Sequence, residues 1–405
     1  MMKRIITMVG TSIFENYKEQ HKDVGFAKLV ENLRNIEAYK YNEEIDRIRE
    51  IKEKLNRWIN KSNDEDKEDI SAEIKSIIRL KEQFKDYVEM YFLCSDTILS
   101  KVAGEILEEF IFNNMNMFND IDIKNNSIVI VESLVVDDGE KFKKGMNHLV
   151  DKVYSIANEY WDDVVINITG GFKATIPYLT ILAQVNKCPI YYIFETTDAL
   201  IKIPYIPINI NWDIFEKNEK FFMGIEKGEI KEFPKGLNNV DDLMSIISKE
   251  DIIHFNPLGV TLWEKYKERF ELFYVSKVAK EYISLNREKR QMLDNYLMKL
   301  KKDLEENPSH SKLHHELKGI DIKNFDCFKD GHIRMLYQMK KRKTRYGVEK
   351  LDVYVGDIAI DSDVHNAESE YVGRFKNNLS KIEDLSKYEV YRIEKQSKRN
   401  IEGGI

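Results

Sequence analysis

The chain has 405 residues, 42% of them hydrophobic and 33% charged, which is enough apolar material for two or three separately cored domains. Its formal net charge of -7 excludes general coating of nucleic acid, so any RNA contact has to come from a local patch. The three cysteines, Cys94, Cys188 and Cys327, have no metal-ligand spacing and point to buried thiols in a reducing compartment.

The N-terminus enters an apolar strand pattern without a leader-like sequence, and no apolar run approaches the ~20 residues that span a bilayer. A soluble, cytoplasmic protein with no membrane partner is expected. Residues 4–9 (RIITMV) predict the first strand, and Gly10, Thr11 and Ser12 a small-residue turn after it. A helix is predicted over 21–36. Residues 39–89 are densely charged, with Ile45, Ile48, Ile51, Leu55 and Ile59 at helical spacing. They predict two long amphipathic helices, broken near 60–66, as an insertion or protrusion with a solvated charged face.

Residues 127–132 (SIVIVE) and 164–168 predict further strands with a helix over 141–160 between them, and 190–194 predicts another. The strand at 164–168 runs into Thr169, Gly170, Gly171, Phe172 and Lys173, followed by a helix-compatible segment up to 187. Free backbone N–H groups at such a helix start favour phosphate, and Thr169 and Lys173 add a hydroxyl and a charge. The plainer alternative is a tight turn with a solvated lysine. Alternating strands and helices predict an α/β, Rossmann-like parallel sheet, and Pro204 and Pro207 place a domain edge near 208. Two strand-end turns in one open sheet line a crevice of the kind that binds nucleotides, although neither turn is a dinucleotide fingerprint or a Walker loop.

The pairing of a GTS turn with a TGG-x-K turn resembles the CARF sensor family of type III CRISPR systems over roughly the first half of the chain. The resemblance implies a homodimer that binds an allosteric activator, cyclic oligoadenylate (cyclic tetra-adenylate foremost), across its two-fold axis. Gly10, Thr11, Ser12, Thr169, Gly170, Gly171, Phe172 and Lys173 are then the ligand-binding residues, and ring-nuclease activity of the sensor is an open question.

Residues 209–270 read as a helical linker, with helices over 240–248 and 258–270 and a break at 254–257; they resemble the linker helices, sometimes winged-helix-like, that follow CARF domains. From 271 to 405 the pattern changes. A strand leads into a helix over 273–280, and a strong amphipathic helix over 287–305 follows. Next come His314, His315, Glu316, Leu317, Lys318 and Gly319, a strand over 331–339, a basic turn, and a strand over 350–356. Two helices and an antiparallel meander predict a small α+β domain.

This order resembles the RelE/ParE toxin superfamily: a helical hairpin, H-x-x-L-x-G, G-x-x-R-x-x-Y and a final V-x-V-x-x-x-G strand. The resemblance implies a metal-independent endoribonuclease, with no cofactor, that cuts mRNA, in the ribosomal A site in its ribosome-dependent members. Arg334 matches the phosphate-holding arginine and His365 the terminal acid; His315 and Lys340 complete the catalytic set. A second family arginine is absent from its usual place, since the chain reads Gly356, Asp357, Ile358 there. Independently, RNA cleavage without metal needs a base, a cation for the transition state and an acid for the leaving 5′-oxygen. A guanidinium suits the second task and an imidazole the third. Residues 329–346 hold seven Lys or Arg against the single acid Asp330, making Lys341, Arg342, Lys343 and Arg345 the RNA-binding set.

Two other classes stay open at this level. Glu316-Leu317-Lys318 fits the ExK of a metal-dependent nuclease, and a nonenzymatic ligand-responsive regulator would bind DNA through the linker. His314 and His315, adjacent in sequence, point in different directions and make a poor zinc site.

Overall fold

Two apolar strands, Lys3–Val9 (β1) and Val88–Ser95 (β2), run parallel at the middle of the first sheet, and both are covered on their two faces, which is why they read as near-continuous hydrophobic runs. The computed structural model describes residues 2–63, 66–123, 126–194, 199–233, 243–249, 252–317, 320–322, 324–343, 346, 349–360 and 368–395. The chain divides into one unit over Met1–Tyr266 and another over Lys267–Ile405. Both are mixed α/β.

In the first unit β1 is followed by α1 (Ser12–His21), α2 (Val24–Leu33), α3 (Ile45–Lys61) and α4 (Ala72–Gln83) before β2. Then come α5 (Ile98–Asn113), the short α6 (Met115–Phe118), β3 (Ile121–Asp122), β4 (Ile128–Val131), α7 (Gly139–Ala157), β5 (Val164–Asn167), α8 (Ile176–Asn186), β6 (Ile190–Ile193) and β7 (Leu200–Ile203). The sheet order is β3-β2-β1-β5-β6-β7, with β4 also on β2, and every pair is parallel except β6 with β7.

Two expectations need correction here. The helix expected over 21–36 is α2, trimmed to Val24–Leu33 where Asp23 caps it by accepting the Phe26 N–H at 2.9 Å, and a separate α1 precedes it from Ser12 to His21, ending where Lys22 turns left-handed at φ 51. The segment 39–89 is no protrusion. Ile48, Ile51, Leu55 and Ile59 of α3 and Ile74, Ile77 and Leu80 of α4 are buried in the same core as Ile5, Val88 and Phe92. Its last residues, Val88 and Glu89, belong to β2, which the charge of Glu89 and the brevity of the run had hidden.

The first unit continues through α9 (Asp213–Lys217), α10 (Glu219–Glu226), β8 (Ile247–Lys249), β9 (Ile253–Phe255) and α11 (Pro257–Glu268). Where a helix was expected over 240–248, Ile247–Lys249 pairs antiparallel with Ile253–Phe255, so the expected break at 254–257 is partly strand. Phe215, Phe222, Phe255, Trp263 and Tyr266 form a closed circuit of ring contacts. Buried polar groups fasten this segment to the sheet helices. Asn186 Nδ2 donates to Tyr154 Oη (3.1 Å), Tyr154 Oη donates to the Thr261 carbonyl (3.0 Å), and Asn147 Nδ2 donates to the Phe255 carbonyl (3.1 Å).

The second unit comprises β10 (Phe270–Val275), α12 (Lys277–Leu285), α13 (Arg290–Glu306), β11 (Asp326–Asp330), β12 (Ile333–Lys343), β13 (Glu349–Ile360), α14 (Glu368–Ile382) and β14 (Glu389–Glu394). Its sheet order is β11-β12-β13-β10-β14, with β10 parallel to β13 and the other pairs antiparallel. One face packs Ile333, Met335, Tyr337, Val353 and Val355 against Leu293, Leu297 and Leu300 of α13. The opposite face packs Leu336 and Ala359 against Tyr371, Phe375 and Ile382 of α14. The expected basic turn after 339 is strand: β12 runs on to Lys343, because Lys340 and Lys343 stand opposite Asp352 and Glu349 and opposite charges stabilise the pairing.

Tyr154→Phe keeps the buried ring but removes the hydroxyl that joins Asn186 to Thr261. It is expected to lower unfolding stability by about 1 kcal/mol in denaturant titration. Hydrogen exchange should quicken in α11.

Candidate functional site

Beyond the carboxyl ends of β1 and β5 the two small-residue turns meet. The parallel register Thr7↔Asn167 brings Gly10 and Gly170 side by side, and a Cβ on Gly10 would lie 2.8 Å from the Gly171 nitrogen. Gly171 has φ +87 and faces Met8, so a side chain is excluded on both counts. From β1 the chain moves one way to β2 and β4 and later the other way to β5, β6 and β7. The turns therefore flank the point of reversal, where open α/β sheets form their ligand crevice. A cavity of about 200 Å³ lies there, lined by Gly10, Thr11, Gly171 and Phe172 with Arg34 and Thr97.

Glu73 organises these turns. It is the second residue of α4, whose cap Ser71 accepts the Ile74 N–H at 3.1 Å, and it is 3% exposed. One carboxylate oxygen accepts the Gly10 N–H at 2.8 Å and the other the Ser12 hydroxyl at 2.7 Å. A Cβ on Gly170 would lie 2.2 Å from the first oxygen. The start of a helix is a favourable place for an anion, so this carboxylate is stabilised by α4 and by two donors rather than by a cation. Behind it Ser76 Oγ donates to the Glu73 carbonyl (2.8 Å) and receives Asn167 Nδ2 (2.8 Å), which joins α4 to β5.

The eight expected ligand residues thus separate into two groups. Gly10 N–H and the Ser12 hydroxyl are turned inward to Glu73, and Thr169 Oγ1 donates to Asn167 (2.7 Å) while accepting the Ile193 N–H (3.1 Å). Thr11 and Lys173 are exposed, and Gly171 and Phe172 line the cavity. Sequence reasoning missed Glu73, whose only signal, an acid in the first turn after a serine cap, is shared by countless solvated helices.

In the second unit Arg334 is 4% exposed. Its Nη1 donates to the Gly331 (2.9 Å) and Ile333 (2.8 Å) carbonyls, its buried Nε has no acceptor, and the Tyr371 ring lies 5.7 Å from the guanidinium. Lys340 lies six residues along β12, about 20 Å from Arg334 at ~3.4 Å per residue. It is exposed and stands 5.4 Å from the ring of Tyr354, which stacks on Tyr274 at 4.7 Å. The two basic residues therefore do not share one small site. Arg342 pairs with Asp352 (2.9 Å) and Lys341 with Glu349 (3.0 Å), so part of the basic run is neutralised across the hairpin. His315 is half-buried, and its backbone N–H donates to the Cys327 carbonyl at 2.9 Å. His365 and Arg345, with Lys318 and Gly319 of the H-x-x-L-x-G element, lie outside the described residues.

Two further groups stand out. Asp357, fully buried, accepts Arg374 Nη2 (2.6 Å) and Asn378 Nδ2 (2.9 Å) of α14, and burial pushes its carboxyl above the usual carboxylate range. An arginine therefore does reach the end of β13, but from α14. His314 places Nε2 against the Pro308 carbonyl (2.8 Å) and Nδ1 against Asp326 (3.0 Å), two acceptors that raise its pKa by favouring the doubly protonated ring. Among the described residues no three His, Cys, Asp or Glu side chains gather as a metal site needs, and no helix is long and apolar enough to cross a membrane.

Residues 68–206 match the family model described as CRISPR-associated protein (Cas_APE2256). The match covers about a third of the chain, from just before α4 to just beyond β7, and includes Glu73, Gly170, Gly171 and Lys173. It ties this part of the first unit to a CRISPR-associated protein family. No curated protein matches the chain.

Glu73→Ala removes the acceptor for two donors and opens a space behind both turns. It is expected to cost about 2–4 kcal/mol of unfolding stability, whereas Glu73→Gln, which still accepts the Gly10 N–H, costs less than half as much. Because the folded pKa of His314 is raised, its contribution is complete below the unfolded value near 6.5 and is lost as pH rises through the folded value. The stability of the second unit should therefore fall as pH rises above the unfolded histidine value, and His314→Gln should flatten that dependence.

Proposed function

We propose that the chain is a CRISPR defence effector in which a cyclic oligoadenylate, bound by the first unit, switches on RNA cleavage by the second. The observation that carries the reading is the contact of the two glycine turns at the sheet's point of reversal, with Thr11 and Lys173 outward and the family match across the second turn. Phosphates of the ring lie against Thr11, Lys173 and the backbone at Gly171 and Phe172, where a helix start and a lysine supply positive potential. Adenine packs on the apolar surface of Phe172. The cavity is smaller than the ~300–1,000 Å³ of ordinary ligand pockets, which fits a half-site completed by a second copy on a two-fold axis.

In the second unit the RNA runs along the β12 face. Lys340 and the unpaired part of the basic run hold its backbone. Arg334 stabilises the charge that develops on the scissile phosphate as the 2′-hydroxyl attacks, with His315 as base and His365 protonating the leaving 5′-oxygen. The substrate is mRNA, held on the ribosome, and the reaction needs no metal.

The test is cleavage of ribosome-bound message with and without cyclic tetra-adenylate, in the presence of a chelator. Lys173→Ala is expected to weaken activator binding by about 10- to 150-fold, roughly 1.5–3 kcal/mol. Arg334→Ala should bind activator normally and cut about 100- to 1,000-fold more slowly. Loss of cleavage with chelator alone would instead assign a metal-dependent nuclease, and a duplex-DNA shift without RNA loss would assign a regulator.

A further inference from the structure

We infer that helix α14 is an autoinhibitory cap over a phosphate-binding site at Arg334. This inference rests on the reading of the second unit as an RNA-cutting module. A guanidinium buried away from water is normally paired with an acid, since an unpaired buried charge is costly. Among the described residues Arg334 has no such partner. Two backbone carbonyls satisfy Nη1, and its Nε–H is enclosed without an acceptor. The buried acid on the same sheet face, Asp357, is committed to Arg374 and Asn378. The arrangement is short of one anion, and a phosphodiester oxygen matches the planar donor edge of arginine.

What closes the site is α14. Its Tyr371 lies over the guanidinium, and Phe375 and Ile382 pack into a small cluster with Leu336 and Ala359. The larger core of the unit, built from α12, α13 and the other sheet face, contains no residue of α14, so lifting the helix leaves that core intact. The cap is pinned by polar contacts: Arg374 and Asn378 on the buried Asp357, and the Arg374 guanidinium 4.5 Å from the Tyr282 ring. Gly373 adds to its lability. A Cβ there would meet nothing within 4 Å, so no packing requires a glycine, and a mid-helix glycine weakens the helix.

The experiment measures phenylglyoxal modification of Arg334 by mass spectrometry in the full chain, together with activator-free RNA cleavage. Wild type should protect Arg334. The double variant Asp357→Asn/Arg374→Met, which removes both charges of the pin, should label Arg334 at least 10-fold faster and cleave RNA without activator at least 10-fold faster. A short unstructured RNA should restore protection in that variant, and adding Arg334→Ala should abolish the gained cleavage. Gly373→Ala, which has room for its methyl group, should slow labelling below wild type and delay activation.

Equal labelling of Arg334 in wild type, the double variant and Gly373→Ala overturns the cap. So does faster labelling in the double variant that RNA does not protect. If labelling and RNA protection follow the expected pattern while no form cuts RNA, the cap and its anion site stand and the ribonuclease reading falls.

Discussion

The first unit's site depends on one buried carboxylate. Glu73 reaches from α4 to a backbone N–H and a hydroxyl of the turn after β1 and abuts the turn after β5, so three elements distant in sequence meet on two oxygen atoms. Glycine at 10 and 170 follows from that contact, since a methyl group at either position would collide with Glu73. The carboxylate also turns two donors inward, while Thr11 and Lys173 stay exposed beside the cavity.

How legible this was in the sequence depended on whether the signal was local. Strand-to-glycine turns are local, and both turns could be read directly from 10–12 and 169–173. Glu73 was not legible, because its meaning comes from a partner 63 residues away and its own neighbourhood looks like any charged helix. The same masking hid β2: Glu89 interrupts an apolar run whose identity as a central strand follows from pairing with β1, β3 and β4. Local spacing did find α7, α8, α11 and α13, where the apolar stripe is regular. It failed at 247–249, where three residues of strand are fixed by their hairpin partner.

The second unit inverts this relation between sequence and site. Arg334, Lys340 and the basic run were all visible as residue types, but their environments were not. Cross-strand acids tie Lys341 and Arg342 of the basic run into internal ion pairs, and a helix arriving after 367 buries the arginine that the motif singled out. From the same helix Arg374 reaches the end of β13, where it is bound to Asp357. Arg334 and Asp357 thus lie on one sheet face, under α14.

The central claim is that the paired turns form half of a site for a cyclic oligonucleotide. Isothermal titration of the full chain with cyclic tri-, tetra- and hexa-adenylate, and with the matching linear oligoadenylates, tests it most directly. The account predicts that one ring size binds with a stoichiometry of about one ring to two chains, as a two-fold site requires, and that the linear oligomer of the same length binds more weakly. Absence of heat with every ring, or equal affinity for linear and cyclic forms at one ligand per chain, would contradict it.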